Sequence, residues 1–283
     1  MNHEFVHLHN HSEYSLLDGM IRIAEIDGKP SRFLQKLAKE KIPAVAITDH
    51  GNMYGAIPFY NNAVKVGVKP IIGCELYITE GDRRDRTKDK FKTGHITALV
   101  KDNEGYANLV EMLSKAYLEG FYYHPRIDFE LFERYHKGII FLSGCVNSLL
   151  GQYLAEENPN KALELADKFR SVAGKENFYI ELMDHNLPDE KRILKPLIEI
   201  SKKLELDLVA TNDCHYEHRE DAFAHDVHIC ISTGALITDK NRMKMETDQL
   251  YFKSAAEMHE LFKEIPQSLK NTVEISKRCN LKL

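Results

Sequence analysis

Long apolar runs are missing from this chain. No stretch of its 283 residues approaches the roughly 20 apolar residues of a membrane span. The N-terminus, MNHEFVHLHN, has no basic region followed by an apolar run, so no secretory signal is visible. Cysteine is scarce. The five thiols at Cys74, Cys145, Cys214, Cys230 and Cys279 are odd in number and scattered. That excludes a disulfide framework and points to a reducing, cytoplasmic setting. No Cys-x-x-Cys pair occurs, which disfavours a zinc ribbon. A basic surplus is absent too: 38 Lys and Arg face 43 Asp and Glu, a formal charge of −5. This argues against a surface coated in positive charge for tight nucleic-acid binding, though not against a local basic groove.

Alternating strand and helix patterns are present. The length fits one large α/β domain, and a barrel of this class needs about 250 residues. Strands are expected over 5–10, 43–48, 68–72, 95–100, 138–142, 178–182 and 206–210. Helices are expected over 31–41, 54–66, 104–117, 161–172 and 189–204. This rhythm predicts a mainly parallel sheet. The charged stretch 80–92 reads as a loop. Past Ala235 the rhythm stops, and 254–279 reads as helical. The expected division is a barrel domain over 1–235 and a helical extension over 236–283. The end at Leu281-Lys282-Leu283 has no obvious cap. It reads as the opening of a larger protein, or as a plain C-terminal helix.

Short His/acid segments recur along the chain, most of them at expected strand ends. They are His9-Asn10-His11, Asp18, Asp49-His50-Gly51, Cys74-Glu75, Cys145 and Asp213-Cys214-His215, with Gly94-His95 as an addition. Imidazole, carboxylate and thiolate are the side chains that hold transition metals. His9 and His11 are two apart, so on a strand both rings can reach one ion. A lone strand histidine is as often a satisfied core residue. Three in alternation, with His7 the deepest, favour ligation, and His7 is expected behind the ligands. Asp18-Gly19 reads locally as an ordinary turn. Asp49 could orient a neighbouring histidine. Glu75 closes an apolar run, where a carboxylate is costly unless paired or metal-bound. Asp213 and His215 repeat the spacing of His9 and His11. Cys145 alone reads as a buried thiol, and its place after a strand raises the metal alternative. Cys74 and Cys214 read as core thiols.

HLHNHSEYSLLDG, AITDHGNMYGA, GCELYI, LSGC and ATNDCHY resemble the successive metal motifs of the PHP (polymerase and histidinol phosphatase) superfamily. AYLEGFYYHPRID, FYNNAVKVGVKPIIG and DAFAHDVHICISTG further resemble the N-terminal domain of bacterial DNA polymerase III α subunits of the DnaE type. The resemblance implies a distorted (β/α)7 barrel with up to three divalent ions. It would place His9, His11, Glu75 and Asp213 on the first ion. Glu75 would bridge to a second held by His95 and Cys145. Asp18, His50 and His215 would hold the third. Where many members begin the first motif with Asp, this chain has His7.

The donor types suit zinc, iron or manganese better than magnesium. Four expected anionic ligands against three divalent ions leave a positive surplus that suits phosphate chemistry. The expected nucleophile is then a metal-bound hydroxide and no protein side chain. In the 81–92 loop, Arg83, Arg84 and Arg86 could grip DNA phosphates, or simply be solvated. The leading expectation is a 3′→5′ exonuclease acting on a DNA 3′ end. Its partners would be the rest of the polymerase and a separate proofreading subunit. The alternatives are a metal-stabilised interaction module and a small-molecule phosphatase.

Overall fold

The computed structural model describes residues 4–25 and 27–283. Its strands are β1 (Ala44–Ile47), β2 (Lys69–Thr79), β3 (Thr93–Val100), β4 (Phe121–Tyr122), β5 (His124–Ile127), β6 (Ile139–Leu142), β7 (Phe178–Leu182) and β8 (Leu208–Ala210). The helices are α1 (Arg32–Lys39), α2 (Ala56–Val66), α3 (Asn103–Leu118), α4 (Phe129–Tyr135), α5 (Leu149–Ala155), α6 (Pro159–Ala173), α7 (Pro188–Leu204), α8 (Ala222–Thr233), α9 (Ala255–Leu261) and α10 (Pro266–Arg278).

β1 runs parallel to β2, and β6, β7 and β8 run parallel to one another. Among the strands of the ring β3 is the exception, antiparallel to both β2 and β6. The segment 5–10 is extended but is not a regular strand. It still closes the ring. Ala46 N donates to His7 O and Thr48 N to Asn10 O, while His11 N donates to Cys214 O beyond β8. The circuit is therefore 5–11, β1, β2, β3, β6, β7, β8 and back, a distorted barrel. The β4–β5 hairpin hangs on β2 outside it.

The barrel interior is apolar at one end and polar at the other. Val6, Leu8, Ala44, Ala46, Ile71, Leu99, Ile140 and Val209 form its floor, with Ile275 of α10 and Cys279 just after it packed among them. Val6 N donates to Thr272 Oγ1 at 3.0 Å. α10 thus packs on the barrel and covers its base, whereas Met243, Met245 and Thr247 line the opening at the other end. A second apolar layer, including Phe33, Phe59, Phe132 and Phe169, lies between sheet and helices. Each such ring contributes about 1.5–3 kcal/mol on full burial.

Polarity rises toward the mouth along single strand faces. On β2 one face reads Ile71, Gly73, Glu75, Tyr77. Its partners across the ladder on β3 read Leu99, Thr97, His95 against Gly73, Glu75 and Tyr77. Cross-strand partners share a face, so Glu75, Thr97, Tyr77 and His95 all open into the mouth.

Several boundaries differ from expectation for physical reasons. β2 does not stop at Gly73. A Cβ there would come within 2.5 Å of Ala98 O, so the glycine marks close strand approach and not a strand end. Residues 80–92 are a loop, as expected, and Glu80 N donates to Lys92 O across its neck. The expected 254–279 helix is two helices. Pro266 starts the second, where its missing N–H costs nothing. α4, α5, α8 and the β4–β5 hairpin were not anticipated.

Candidate metal centre

Glu75 lies at the centre of the mouth and is buried. Its Oε1 is 3.0 Å from His95 Nδ1, 3.6 Å from His9 Nε2 and 3.9 Å from Cys145 Sγ. Its Oε2 is 2.7 Å from His50 Nδ1 and 3.7 Å from His11 Nε2. Asp213 Oδ1 is 2.9 Å from His11 Nε2 and 3.7 Å from His9 Nε2. Cys145 Sγ is 3.8 Å from His95 Nδ1. Asp18 Oδ2 is 2.8 Å from His50 Nε2 and 3.3 Å from His215 Nε2. The structure therefore brings every expected ligand into one contiguous cluster. In the triads His9/His11/Glu75, His50/Glu75/His95 and His11/His50/His215 the donor atoms all lie within 4.8 Å of one another.

The donor atoms fit cations. His9 Nε2, His11 Nε2, His50 Nδ1, Glu75 Oε2 and Asp213 Oδ1 are all buried and make no well-aligned hydrogen bond, although His50 Nδ1 lies 2.7 Å from Glu75 Oε2 and His11 Nε2 lies 2.9 Å from Asp213 Oδ1. Each such atom costs about 1–3 kcal/mol when left alone. Here they converge, so an ion between them satisfies several at once. Burial opposes charge on His50 and His215, yet Glu75 and Asp18 hold His50 well above its ordinary value and Asp18 and Asp213 hold His215 at about 9, so an ion there would displace their protons. Burial, with His50 and His215 alongside, brings His11 down to about 3, so its lone pair is free. Burial opposes charge on His9, yet Glu181, Asp213 and Glu75 hold it well above its ordinary value. Burial also pushes the Cys145 thiol well up, and Glu75 and Asp213 add to this. That thiol becomes a thiolate readily only beside a cation.

The imidazoles are held from behind. Ser15 Oγ donates to Asp49 Oδ1 at 2.7 Å, so it accepts from His11 Nδ1 at 3.3 Å. The His11 Nε2 lone pair then faces the centre. Asp49 thus acts on His11 through Ser15, and it also accepts from Ser12 N. His9 Nδ1 contacts Glu181 Oε1 at 2.9 Å, a carboxylate behind an imidazole of the kind that orients metal ligands.

Sequence reasoning missed Glu181, His185 and His225. Glu181 stands within Phe178–Leu182, a strand buried throughout. A carboxylate inside such a run was the available signal. His185 Nε2 accepts from Asp213 N at 3.1 Å, and its Nδ1 pairs with Glu190 at 2.6 Å. His225 of α8 is buried, with Nε2 unpartnered and 3.7 Å from Asp18 Oδ1.

Two expectations are corrected. His7 does not back the ligands. Its Nε2 bonds the Lys253 carbonyl at 2.7 Å, and its ring packs on Phe252. The alternation that suggested otherwise breaks at Leu8–His9, because this segment is not a regular strand. Arg83 is not free for DNA. It is buried against Asp128 and also pairs with Glu119 and Glu130. Arg84 is exposed and pairs with Asp82 and Glu130, and Arg86 is exposed. Cys74 and Cys214 are buried in the apolar layer.

A cleft of about 630 Å³ opens over the cluster, lined by Asp18, His50, His95, Asp213 and His215 together with Tyr54, Tyr77 and His124.

Known proteins are similar to this chain in sequence. A model of the PHP domain matches residues 7–185. The DNA polymerase III subunit alpha of Borreliella burgdorferi is 42% identical over 278 residues, covering 98% of this chain and 24% of that protein. Its counterpart in Treponema pallidum is 42% identical over 281 residues, covering 99% and 23%. That of Thermus aquaticus is 39% identical over 286 residues, again covering 99% and 23%. The chain therefore spans about a quarter of the length of these relatives. Among solved structures, an amidohydrolase from Chromobacterium violaceum aligns over 74% of this chain and 87% of its own, with a TM-score of 0.46 and 14% identity. No helix among the described residues is long and apolar enough to cross a membrane. The match over residues 7–185 shows that the chain belongs to the PHP domain family.

Proposed function

We propose that this chain is the PHP domain of a DNA polymerase III α subunit and hydrolyses phosphodiester bonds at DNA 3′ ends. The observation that carries this reading is the convergence of buried N and O atoms without well-aligned hydrogen bonds beneath an open cleft. His9, His11, Glu75 and Asp213 would hold one ion. Glu75, His95 and Cys145 would hold a second, and Asp18, His50 and His215 a third. Bound there, such ions supply Lewis acidity and an acidified water at neutral pH. The chain's own residues supply the rest. Glu181 fixes His9, Asp49 fixes His11 through Ser15, and His185 fixes the backbone of Asp213. The cluster is deep, so a single-stranded or frayed end reaches it more readily than a paired one. Unpairing costs energy that a mismatch lowers.

A metal-replete nuclease assay on 3′-mismatched primers tests the proposal. Hydrolysis that a chelator stops supports it. No hydrolysis by a chain that has bound its metals refutes it. That result would favour the second reading, a metal-stabilised interaction module. Exposed Leu118 (83%), Tyr123 (71%) and Phe121 (47%) favour that reading, since an apolar group of this kind suits a protein surface.

A further inference from the structure

AYLEGFYYHPRID contributes no metal ligand, yet it builds one wall of the cleft. β5 begins at His124, whose ring stacks on Tyr77 with centroids 4.4 Å apart and planes 15° apart. Tyr77 is two residues after Glu75 on the same strand face. Its ring centroid is 5.0 Å from that of His95 and 6.1 Å from that of His50. The stack is seated, not loose. Gly51 has φ +61°, and a Cβ there would meet Pro125 at 2.9 Å and the Tyr77 ring at 3.1 Å. The Gly51 backbone therefore packs close against the Tyr77 ring and Pro125. His124 is exposed, and Tyr54, also in the cleft lining, is 58% exposed.

A polar, cation-binding centre with a flat aromatic wall beside it matches one kind of ligand. It takes a charged phosphoryl group with a planar ring attached through a short spacer. We propose that the exposed rings of His124 and Tyr54, with Tyr77 backing His124, form a nucleobase subsite that receives the terminal base of a DNA strand. This rests on the phosphodiesterase reading above. It adds where the base goes and why the end would be held. Stacking accepts every base, because each has a π face, so the subsite confers little sequence preference.

Binding tests this without turnover when the terminal linkage of each strand is a non-hydrolysable phosphodiester analogue. Affinity is measured for two single-stranded oligonucleotides, one with an intact 3′-terminal base and one ending in an abasic residue. The chain contains no tryptophan. A 2-aminopurine at the terminus therefore reports stacking without protein background. The intact end should bind more tightly by roughly 5- to 150-fold, the range of base–aromatic stacking. Binding should quench the 2-aminopurine. His124→Ala and Tyr54→Ala should each shrink the difference, and His124→Phe should restore it. Leu118→Ala, on the exposed outer patch, should leave it intact. Equal affinity for the two ends overturns the subsite. So does a preference that survives both alanine variants, or no DNA binding by a metal-loaded chain. Base-dependent binding without hydrolysis upholds the subsite and refutes only the nuclease reading.

Discussion

Glu181→Gln isolates how much the site depends on the residue behind His9. Glu181 accepts from Thr211 Oγ1 at 2.7 Å, Gly144 N at 2.9 Å and Thr97 Oγ1 at 3.3 Å, and it meets His9 Nδ1 at 2.9 Å. Glutamine has nearly the same shape, but one oxygen becomes an NH₂ donor. In either orientation that donor faces existing donors. The threonine hydroxyls can rotate away, whereas Gly144 N–H and His9 Nδ1–H cannot. One buried donor is left unsatisfied, at about 1–3 kcal/mol. Loss of the carboxylate behind His9 should also weaken metal binding by about 10- to 100-fold, or ~1.4–2.7 kcal/mol. The assay is metal retention during dialysis against graded chelator, with urea unfolding in parallel. The chelator midpoint for one ion should move by one to two decades, while the ion at Cys145 holds. An unchanged midpoint for every ion would refute the argument that Glu181 orients a ligand.

Four further outcomes are expected. Glu75→Ala should abolish hydrolysis, because this one carboxylate faces His9, His11, His50, His95 and Cys145, whereas Cys74→Ala in the apolar layer should be nearly silent. Full activity in Glu75→Ala would mean another protein or site is responsible. His225→Ala should remove a neighbour of Asp18 and weaken only the ion held by Asp18, His50 and His215, lowering measured metal content by one equivalent under limiting metal; uniform loss of all metal would point to a folding defect. Arg83→Ala should cost about 3–5 kcal/mol in thermal or urea unfolding by leaving the buried Asp128 carboxylate uncompensated. The Arg84→Ala/Arg86→Ala pair should instead raise KM for DNA and flatten its salt dependence, with a nitrophenyl phosphodiester hydrolysed as before; equal loss on both substrates would remove the loop from DNA binding.

Much of the site could be read from spacing because the ligands come from short local motifs. The i, i+2 geometry placed His9 with His11, and Cys145 falls just after β6 as expected. The same reasoning failed at His7, where the chain leaves regular strand geometry. His95 illustrates a topological limit. Periodicity does not reveal strand direction, and only because β3 is antiparallel does its beginning lie at the mouth. Glu181, His185 and His225 were hidden for another reason. They meet the site through long-range packing of β7, the segment after it and α8 against the ligand loops. Arg83 looked free to grip DNA or face solvent in sequence because its carboxylate partners Glu119 and Asp128 lie far along the chain.

Elemental analysis of the folded, metal-replete chain is the direct measurement. A trinuclear arrangement sharing Glu75 requires more than one transition-metal ion per chain, rising toward three, with Glu75→Ala losing at least one of them. A fully folded chain that binds one ion or none, and in which Glu75→Ala changes nothing, would contradict it.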